Sequence, residues 1–237
     1  MISIIIPVYN ELRYLPKLIE KVLLVKWPNE LGVEIIVVDD GSNDGSVEWL
    51  KKNSQQFGLL TFFHEKNRGK GAALKTGFFH ACGEVVVVQD SDLEYDPNEL
   101  INVTMPIISK QTKVCYGSRH LKKGWTQNDF LKKQRGYLFA YLGGRFITYF
   151  CNFLYGSNLT DEPTCYKAFE RKFLQTISLI SEGFELEPEL TAKILKRTSI
   201  LEVPIHYYPR SYEDGKKINW KDGVSALWKL LKYRFVD

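Results

Sequence analysis

The chain has 237 residues, enough for one large α/β domain or two small ones. Apolar residues make up 44% and charged residues 25%, ordinary for a globular protein with a full core, and a formal net charge of +4 is too mild to argue for nucleic acid. Cys82, Cys115, Cys151 and Cys165 lie far apart, with no C-x-x-C pair and no nearby histidines, which disfavours zinc or a disulfide framework and fits reduced, mostly buried thiols in a cytoplasmic protein.

The first half alternates strand and helix. Residues 2–6 form a short apolar strand, with no basic segment or cleavage site of a signal peptide. Residues 12–25 have helical spacing in Leu15, Leu18, Ile19, Val22 and Leu23. A second buried strand, 33–38, ends in Asp39-Asp40-Gly41-Ser42, and 46–52 reads as helix. After a third strand at 59–63 comes Asn67-Arg68-Gly69-Lys70-Gly71, which opens a helix reaching Ala81. The fourth strand, 84–88, is a run of valines suited to burial on both faces. Asp96-Pro97 starts a helix, since aspartate caps and proline suits the first turn. A fifth strand, 113–116, ends at Gly117-Ser118-Arg119. This rhythm predicts an α/β fold, a single Rossmann-like, mostly parallel sheet with helices on both faces.

The second half is less regular. Residues 122–133 read as a polar loop, 136–155 as a long aromatic helix, and 164–169 as a strand. A helix at 187–195 and a strand at 200–203 follow, then a basic loop at 208–218 and a basic amphipathic helix at 220–235. The most apolar stretch, 137–155, holds Gly143, Gly144 and Arg145 at its centre, so no segment reads as a clean membrane span. Without repeats, low-complexity stretches or linkers, the chain reads as one domain, with one half at about 1–119 and the other at about 120–237.

Chemistry collects where strands end. The fourth strand runs into Asp90, Asp92 and Glu94, spaced two apart. In open α/β sheets ligands bind at the C-terminal strand edge, and carboxylates gathered there can hold a hard divalent cation that in turn holds a diphosphate. Alone, the triplet reads equally as a solvated acidic loop. Strand one ends in Pro7-Val8-Tyr9-Asn10-Glu11, strand two in Asp39-Asp40, and strand five in Gly117-Ser118-Arg119. Each is explained singly by turn chemistry. Together at one rim they supply an aromatic ring, acids for ribose hydroxyls, a metal pair and an arginine, the needs of a nucleotide-diphosphate ligand. The Gly69-Lys70-Gly71 segment lacks the Gly-x-x-x-x-Gly-Lys-Ser/Thr pattern of a P-loop and reads as a helix-start turn near the nucleotide, with Lys70 a weak candidate contact.

These motifs carry a resemblance. Pro-Val-Tyr-Asn-Glu at 7–11, Val-Val-Asp-Asp-Gly-Ser at 37–42, Asn-Arg-Gly-Lys-Gly-Ala-Ala at 67–73 and Gln-Asp-Ser-Asp-Leu-Glu-Tyr-Asp-Pro at 89–97 occur in order. Gly-Ser-Arg at 117–119, Leu-Thr-Asp-Glu-Pro-Thr-Cys-Tyr-Lys at 159–167, Gly-Phe-Glu-Leu-Glu-Pro-Glu-Leu-Thr-Ala-Lys at 183–193, Glu-Val-Pro-Ile at 202–205 and Arg-Ser-Tyr-Glu-Asp-Gly-Lys at 210–216 complete the series. Each is weak alone; the order and spacing are specific. The chain resembles family 2 glycosyltransferases of the GT-A fold, and among them it is similar to dolichol- and polyprenyl-phosphate hexosyltransferases.

The resemblance implies roles residue by residue. Pro7, Tyr9, Glu11, Val38 and Asp40 match positions around the nucleoside, with Asp40 on base or ribose hydroxyls. Asp90, Ser91 and Asp92 match a D-x-D site, where Asp92 would bind Mg²⁺ or Mn²⁺. Glu94 replaces a glutamine frequent in the mannosyltransferases and still offers the metal an oxygen. Arg119 matches an arginine beside the transferred sugar and acceptor, and Arg210 and Lys216 match basic residues on a loop that closes over the diphosphate. Asp161 is the candidate base, needed for a hydroxyl acceptor but not for a phosphate. Arg135 is a candidate contact for the acceptor phosphate.

The implied reaction is inverting, metal-dependent transfer of a hexose from GDP-mannose or UDP-glucose to dolichol or polyprenyl phosphate. A glycan or other hydroxyl acceptor is the alternative, and a non-catalytic nucleotide-sugar-binding module is the alternative of another class. A dinucleotide dehydrogenase is disfavoured because no G-x-G-x-x-G follows the first strand. A lipid acceptor places the protein peripherally on the cytoplasmic face of a membrane. The helix at 220–235, with Trp220, Val224, Leu227, Trp228, Leu231 and Phe235 flanked by lysines, and the helix at 136–155 are the candidate docking elements.

Overall fold

The computed structural model describes residues 1–28, 31–121, 135–208, 210 and 220–236, and only the backbone of 135–139. The loop at 122–133, residues 211–218 with Lys216, and the side chain of Arg135 therefore lie outside the described residues.

Among the described residues seven strands form one sheet: β1 (Ile2–Val8), β2 (Val33–Asp39), β3 (Leu59–Phe63), β4 (Val85–Val88), β5 (Val114–Ser118), β6 (Lys167–Glu170) and β7 (Leu201–Pro204). Their order is β3-β2-β1-β4-β6-β5-β7. Only β6 runs against the others, slotted antiparallel between β4 and β5. The mostly parallel sheet is therefore as the sequence predicts. The direction of β6 is not legible in its short apolar stretch.

The helices are α1 (Leu15–Leu23), α2 (Ser46–Phe57), α3 (Lys70–His80), α4 (Leu100–Ile108), α5 (Arg135–Tyr155), α6 (Arg171–Leu174), α7 (Leu186–Leu195) and α8 (Trp220–Phe235). In α1 the buried set Leu15, Leu18, Ile19 and Val22 is the stripe read from the sequence without Leu23, which ends the helix 43% exposed, and the helix is shorter than 12–25. The second helix runs past 52 to Phe57, whose ring stacks on Trp49, and Gly58 ends it in a left-handed conformation at φ 63°. Asp96 caps the 3₁₀ turn Pro97–Glu99 by accepting from the Asn98 N–H. The one-turn α6 has no periodicity long enough to announce it.

The strands alternate their side chains between two cores. Ile4, Ile6, Val37 and Val87 face the layer of Leu18, Leu100 and Val103. Ile5, Ile36, Val86 and Val88 face Ala73, Leu74 and Leu190. Both sheet faces are thus covered, which is why the strands are continuous apolar runs. A third cluster joins Cys151 of α5, Ala192 of α7, and Leu230 and Tyr233 of α8.

Register sets the rim. Val8 lies opposite Asp39, and Ile5 opposite Val88. The Asp40 N–H donates to Val8 O, and Gln89 N–H to Ile5 O. The chain therefore leaves β1, β2 and β4 on one edge, and β5 and β7 end beside each other there, with Ser118 opposite Pro204.

Candidate active site

The residues expected around a nucleoside gather at the ends of β1 and β2. Pro7 and Val38 are register partners in adjacent strands, both buried. Tyr9 follows at the edge, half-buried. Asp40 is 2% exposed and heavily engaged: its carboxylate accepts from His64 Nδ1 at 2.6 Å and from the Arg68 and Gly69 N–H groups at 3.0 and 2.7 Å. It thereby anchors the turn that starts α3. Its neighbour Asp39 accepts from the Ser42 N–H with Oδ1, while the buried Oδ2 has no hydrogen-bond partner among the described residues.

The acidic triplet occupies the loop after β4. Arg210 reaches it with Nη2 2.8 Å from Asp92 Oδ2, Nη1 3.1 Å from Glu11 Oε2, and its backbone N–H 2.8 Å from Glu94 Oε1. The guanidinium also lies over the Tyr14 ring at 5.2 Å. Glu94 Oε2 accepts from the Tyr207 hydroxyl at 2.7 Å. Asp90 turns the other way, to Lys70 Nζ at 2.8 Å. Ser91 between them is buried. Burial, and then the neighbouring Asp90 and Glu94 charges, push the Asp92 carboxyl up to about 7 against the opposing pull of Arg210.

This donor set fits a hard cation held jointly with a diphosphate. Among the described residues no three acidic, histidine or cysteine side chains converge closely enough to cage an ion alone. Mg²⁺-type ions are ordinarily held by one or two carboxylates, waters and substrate phosphates, so a full protein cage is not needed. The mutual repulsion that raises Asp92 is what a cation there would relieve.

Across the rim, the end of β5 meets the segment before β6. Asp161, 1% exposed, accepts from Arg119 Nε and Nη2 at 2.7 Å each and from the Arg119 N–H at 2.9 Å. Burial pushes this carboxyl up, but the Arg119 charge and hydrogen bonds outweigh burial and hold it below its ordinary value. The pair is braced from both sides. Glu202 of β7 accepts from the Thr160 and Asp161 N–H groups at 2.7 and 3.0 Å, and Arg119 lies 5.1 Å over the Tyr207 ring. Arg145 of α5 donates to Thr160 O at 2.8 Å.

The structure thus brings Glu11, Asp92, Glu94 and Arg210 into one cluster, with Arg119 and Asp161 in a second. Tyr207, touching both Glu94 and Arg119, links them. Sequence reasoning missed Tyr207, Tyr14, Glu202 and Glu187. Glu187 and Glu202 stand in motifs that were legible, whereas the two tyrosines carry no local signal.

The family described as Glycosyl transferase family 2 matches residues 3–178. The chain belongs to glycosyl transferase family 2. Its sequence is 26% identical over 218 residues to the undecaprenyl-phosphate 4-deoxy-4-formamido-L-arabinose transferases of Salmonella choleraesuis and Salmonella paratyphi B. That alignment takes in 91% of this family 2 chain and 62% of each relative, so the chain spans under two thirds of their length. The fold is similar to that of glucosyl-3-phosphoglycerate synthase from Mycobacterium tuberculosis. The structure of that enzyme with uridine diphosphate gives a TM-score of 0.70 at 18% identity, covering 100% of this chain and 81% of the other. Its complex with Mn²⁺, uridine diphosphate and glucosyl-3-phosphoglycerate gives 0.66 at 17%, with the same coverage.

Proposed function

We propose that the chain is an inverting glycosyltransferase that moves a hexose, mannose or glucose, from GDP-mannose or UDP-glucose to a dolichol or polyprenyl phosphate. Family membership and the rim of acids and arginines support sugar transfer from a nucleotide diphosphate. The relatives named for undecaprenyl phosphate support the acceptor class.

The observation that carries the acceptor is the state of Asp161. A hydroxyl acceptor needs a base to take its proton. Asp161 has both oxygens on Arg119 and a depressed pKa, which makes it a poor proton acceptor. A phosphate monoester has a second pKa of about 6 and arrives largely ionised. Its oxygen can attack the anomeric carbon directly, in a single displacement through an oxocarbenium-like state. Arg119, aligned by Asp161 and Tyr207, would meet that phosphate, with Arg135 proposed as a second contact. Pro7, Tyr9, Val38 and Asp40 shape the nucleoside side. Arg210, moving off Glu11 and Asp92, and Lys216 would meet the charge growing on the leaving diphosphate. Mg²⁺ or Mn²⁺ bound at Asp92 and Glu94, with Asp90 beside them, would supply further neutralisation of that diphosphate.

A lipid acceptor requires contact with a bilayer, and the outer faces of α5 and α8 support a peripheral one. Trp220, Trp228 and Phe235 of α8 are 75%, 60% and 77% exposed, and Phe146, Tyr149 and Phe153 of α5 are exposed as well. Lys221, Lys229, Lys232 and Arg234 add the positive charge that suits an anionic surface. The two helices grip each other through Leu230, where Tyr155 donates to its carbonyl at 2.7 Å, leaving the aromatic residues outward. Among the described residues no helix is long and apolar enough to cross a membrane. The cytoplasmic face is the side we assign.

The test is a transfer assay with Mn²⁺ or Mg²⁺. It crosses GDP-mannose, UDP-glucose and a nucleotide-linked 4-deoxy-4-formamido-L-arabinose with a short polyprenyl phosphate. Lipid-dependent glycolipid from GDP-mannose or UDP-glucose is the expected result, and glycolipid from the arabinose donor alone overturns the hexose. Donor hydrolysis without glycolipid overturns the phosphate acceptor, and no turnover with any donor favours a binding module.

A further inference from the structure

Four charges, one buried and three largely buried, run in a line from the D-x-D loop. Lys70 Nζ lies 2.8 Å from Asp90 Oδ1 and 2.8 Å from Glu187 Oε1. Glu187 Oε2 takes Lys167 Nζ at 2.6 Å, and Lys167 donates its second bond to Thr164 O, also at 2.6 Å. Lys167 is 2% exposed, and the side chains of Lys70, Glu187 and Asp90 are 12%, 13% and 14% exposed. The signs alternate, and each charge is neutralised by its neighbour.

The line crosses the molecule. Asp90 and Lys70 belong to the half at 1–119, and Glu187 and Lys167 to the half at 120–237. Glycines make the crossing possible. Gly69 takes φ +104°, and a side chain there would stand 2.5 Å from Glu182 O. A Cβ on Gly71 would meet Gly183 O at 2.7 Å and Leu186 Cβ at 2.8 Å. The Ala72 N–H donates to Glu182 O at 2.8 Å. The Gly-Lys-Gly sequence is therefore a joint between the starts of α3 and α7, and the lysine between its glycines is pressed onto Glu187. Asp40 tightens the same joint through the Gly69 N–H.

Stability alone does not account for this arrangement. Buried ion pairs repay their desolvation poorly, and apolar replacements of like volume are often as stable or more so. The line ends instead on the first carboxylate of the D-x-D motif. It holds Asp90 on Lys70 while Arg210 holds Asp92, so the two carboxylates are tied to different partners. Outer partners of this kind fix the orientation of groups that meet a metal.

We propose that Lys70 and Glu187 are positioning residues. They hold Asp90 in place and so set the spacing of the two D-x-D carboxylates toward a metal-bound nucleoside diphosphate. This rests on the glycosyltransferase reading of the site. Lys70 acts through Asp90 and Glu187 acts through Lys70. Lys167 completes the line by neutralising the second oxygen of Glu187.

The experiment measures Mn²⁺ bound in the presence of UDP or GDP, by the loss of free-ion electron paramagnetic resonance signal, alongside a thermal melt. Glu187→Gln and Lys70→Gln should each weaken Mn²⁺–nucleotide binding by about 10–100-fold, the usual effect of losing an outer partner. Glu182→Gln breaks an exposed pair with Arg68 between the same two elements and should leave binding unchanged. Should Glu187→Gln fail to fold, Glu187→Asp keeps the charge, shortens the reach to Lys70, and should still weaken binding. Wild-type affinity in the folded Glu187 and Lys70 variants overturns the positioning role. A wild-type protein that binds no Mn²⁺ with either nucleotide overturns the metal reading itself, and the proposal with it.

Discussion

Asp161 holds Arg119 with both carboxylate oxygens, 2.7 Å from Nε and 2.7 Å from Nη2, at the edge where β5 ends. Glu202 grips the backbone of Asp161, and Tyr207 lies under the guanidinium, so neither partner is free to turn. A carboxylate so engaged is an orienting group first. Its alignment of Arg119 is the feature that most shapes the expected chemistry.

Asp161→Asn should therefore lower kcat/KM for the acceptor while leaving the shape of the pH–rate profile unchanged. Loss of a profile limb together with a fall of about 10²–10⁴ in rate would mark Asp161 as a general base instead. Asp161→Ala leaves Arg119 without its counter-charge and should cost about 3–5 kcal/mol of stability, read by denaturant unfolding. That contribution should fade in acid: the folded carboxyl lies below its ordinary value of 3.8, so the stabilisation is present above that value and is lost as pH falls through the lower, folded one.

Asp92→Ala should abolish metal-dependent transfer with the fold intact, measured by turnover and circular dichroism. Retained Mn²⁺-stimulated turnover would sink the metal role of Asp92.

The binding of Mn²⁺ should also depend on pH through Asp92. Its carboxyl stands at about 7 in the folded chain against an ordinary 3.8, so it favours the protonated form, and its contribution to stability is present below 3.8 and lost as pH rises through about 7. A cation needs the ionised form. Affinity should rise about tenfold per pH unit up to roughly 7 and level off above, as one proton is released. Calorimetric titration at pH 5.5, 6.5 and 8 checks this, and a flat dependence would contradict it.

Lys216→Ala should slow turnover more than it weakens nucleoside-diphosphate binding, because the charge it meets grows only as the diphosphate leaves. An effect confined to binding would remove its leaving-group role.

Trp228→Glu should leave the melting temperature nearly unchanged, since the ring is 60% exposed, and should weaken binding to anionic vesicles, read by flotation, by about 10–100-fold, the effect of withdrawing ~1.5–3 kcal/mol of apolar burial. Equal flotation would move the contact away from this face of α8.

Much of this protein was readable in its sequence for simple physical reasons. Strands buried on both faces must be apolar along their whole length, so Ile4 to Ile6 and the valines at 85–88 declared themselves, and with them the sheet and its rim. Carboxylates and glycines cluster at strand ends because the chain turns there and ligands meet it there, so Asp40, Asp92, Arg119 and Asp161 could be named from motifs. What only the tertiary structure decided is which charge meets which. The antiparallel β6 carries Lys167 to the edge of the sheet and α7 brings Glu187 over it. Gly69 and Gly71 at the start of α3 then let Lys70 close onto Glu187 as well as Asp90. Pairing between charges more than 100 residues apart leaves no local period or spacing to read, because its energy depends on distance and burial that exist only once the halves have packed.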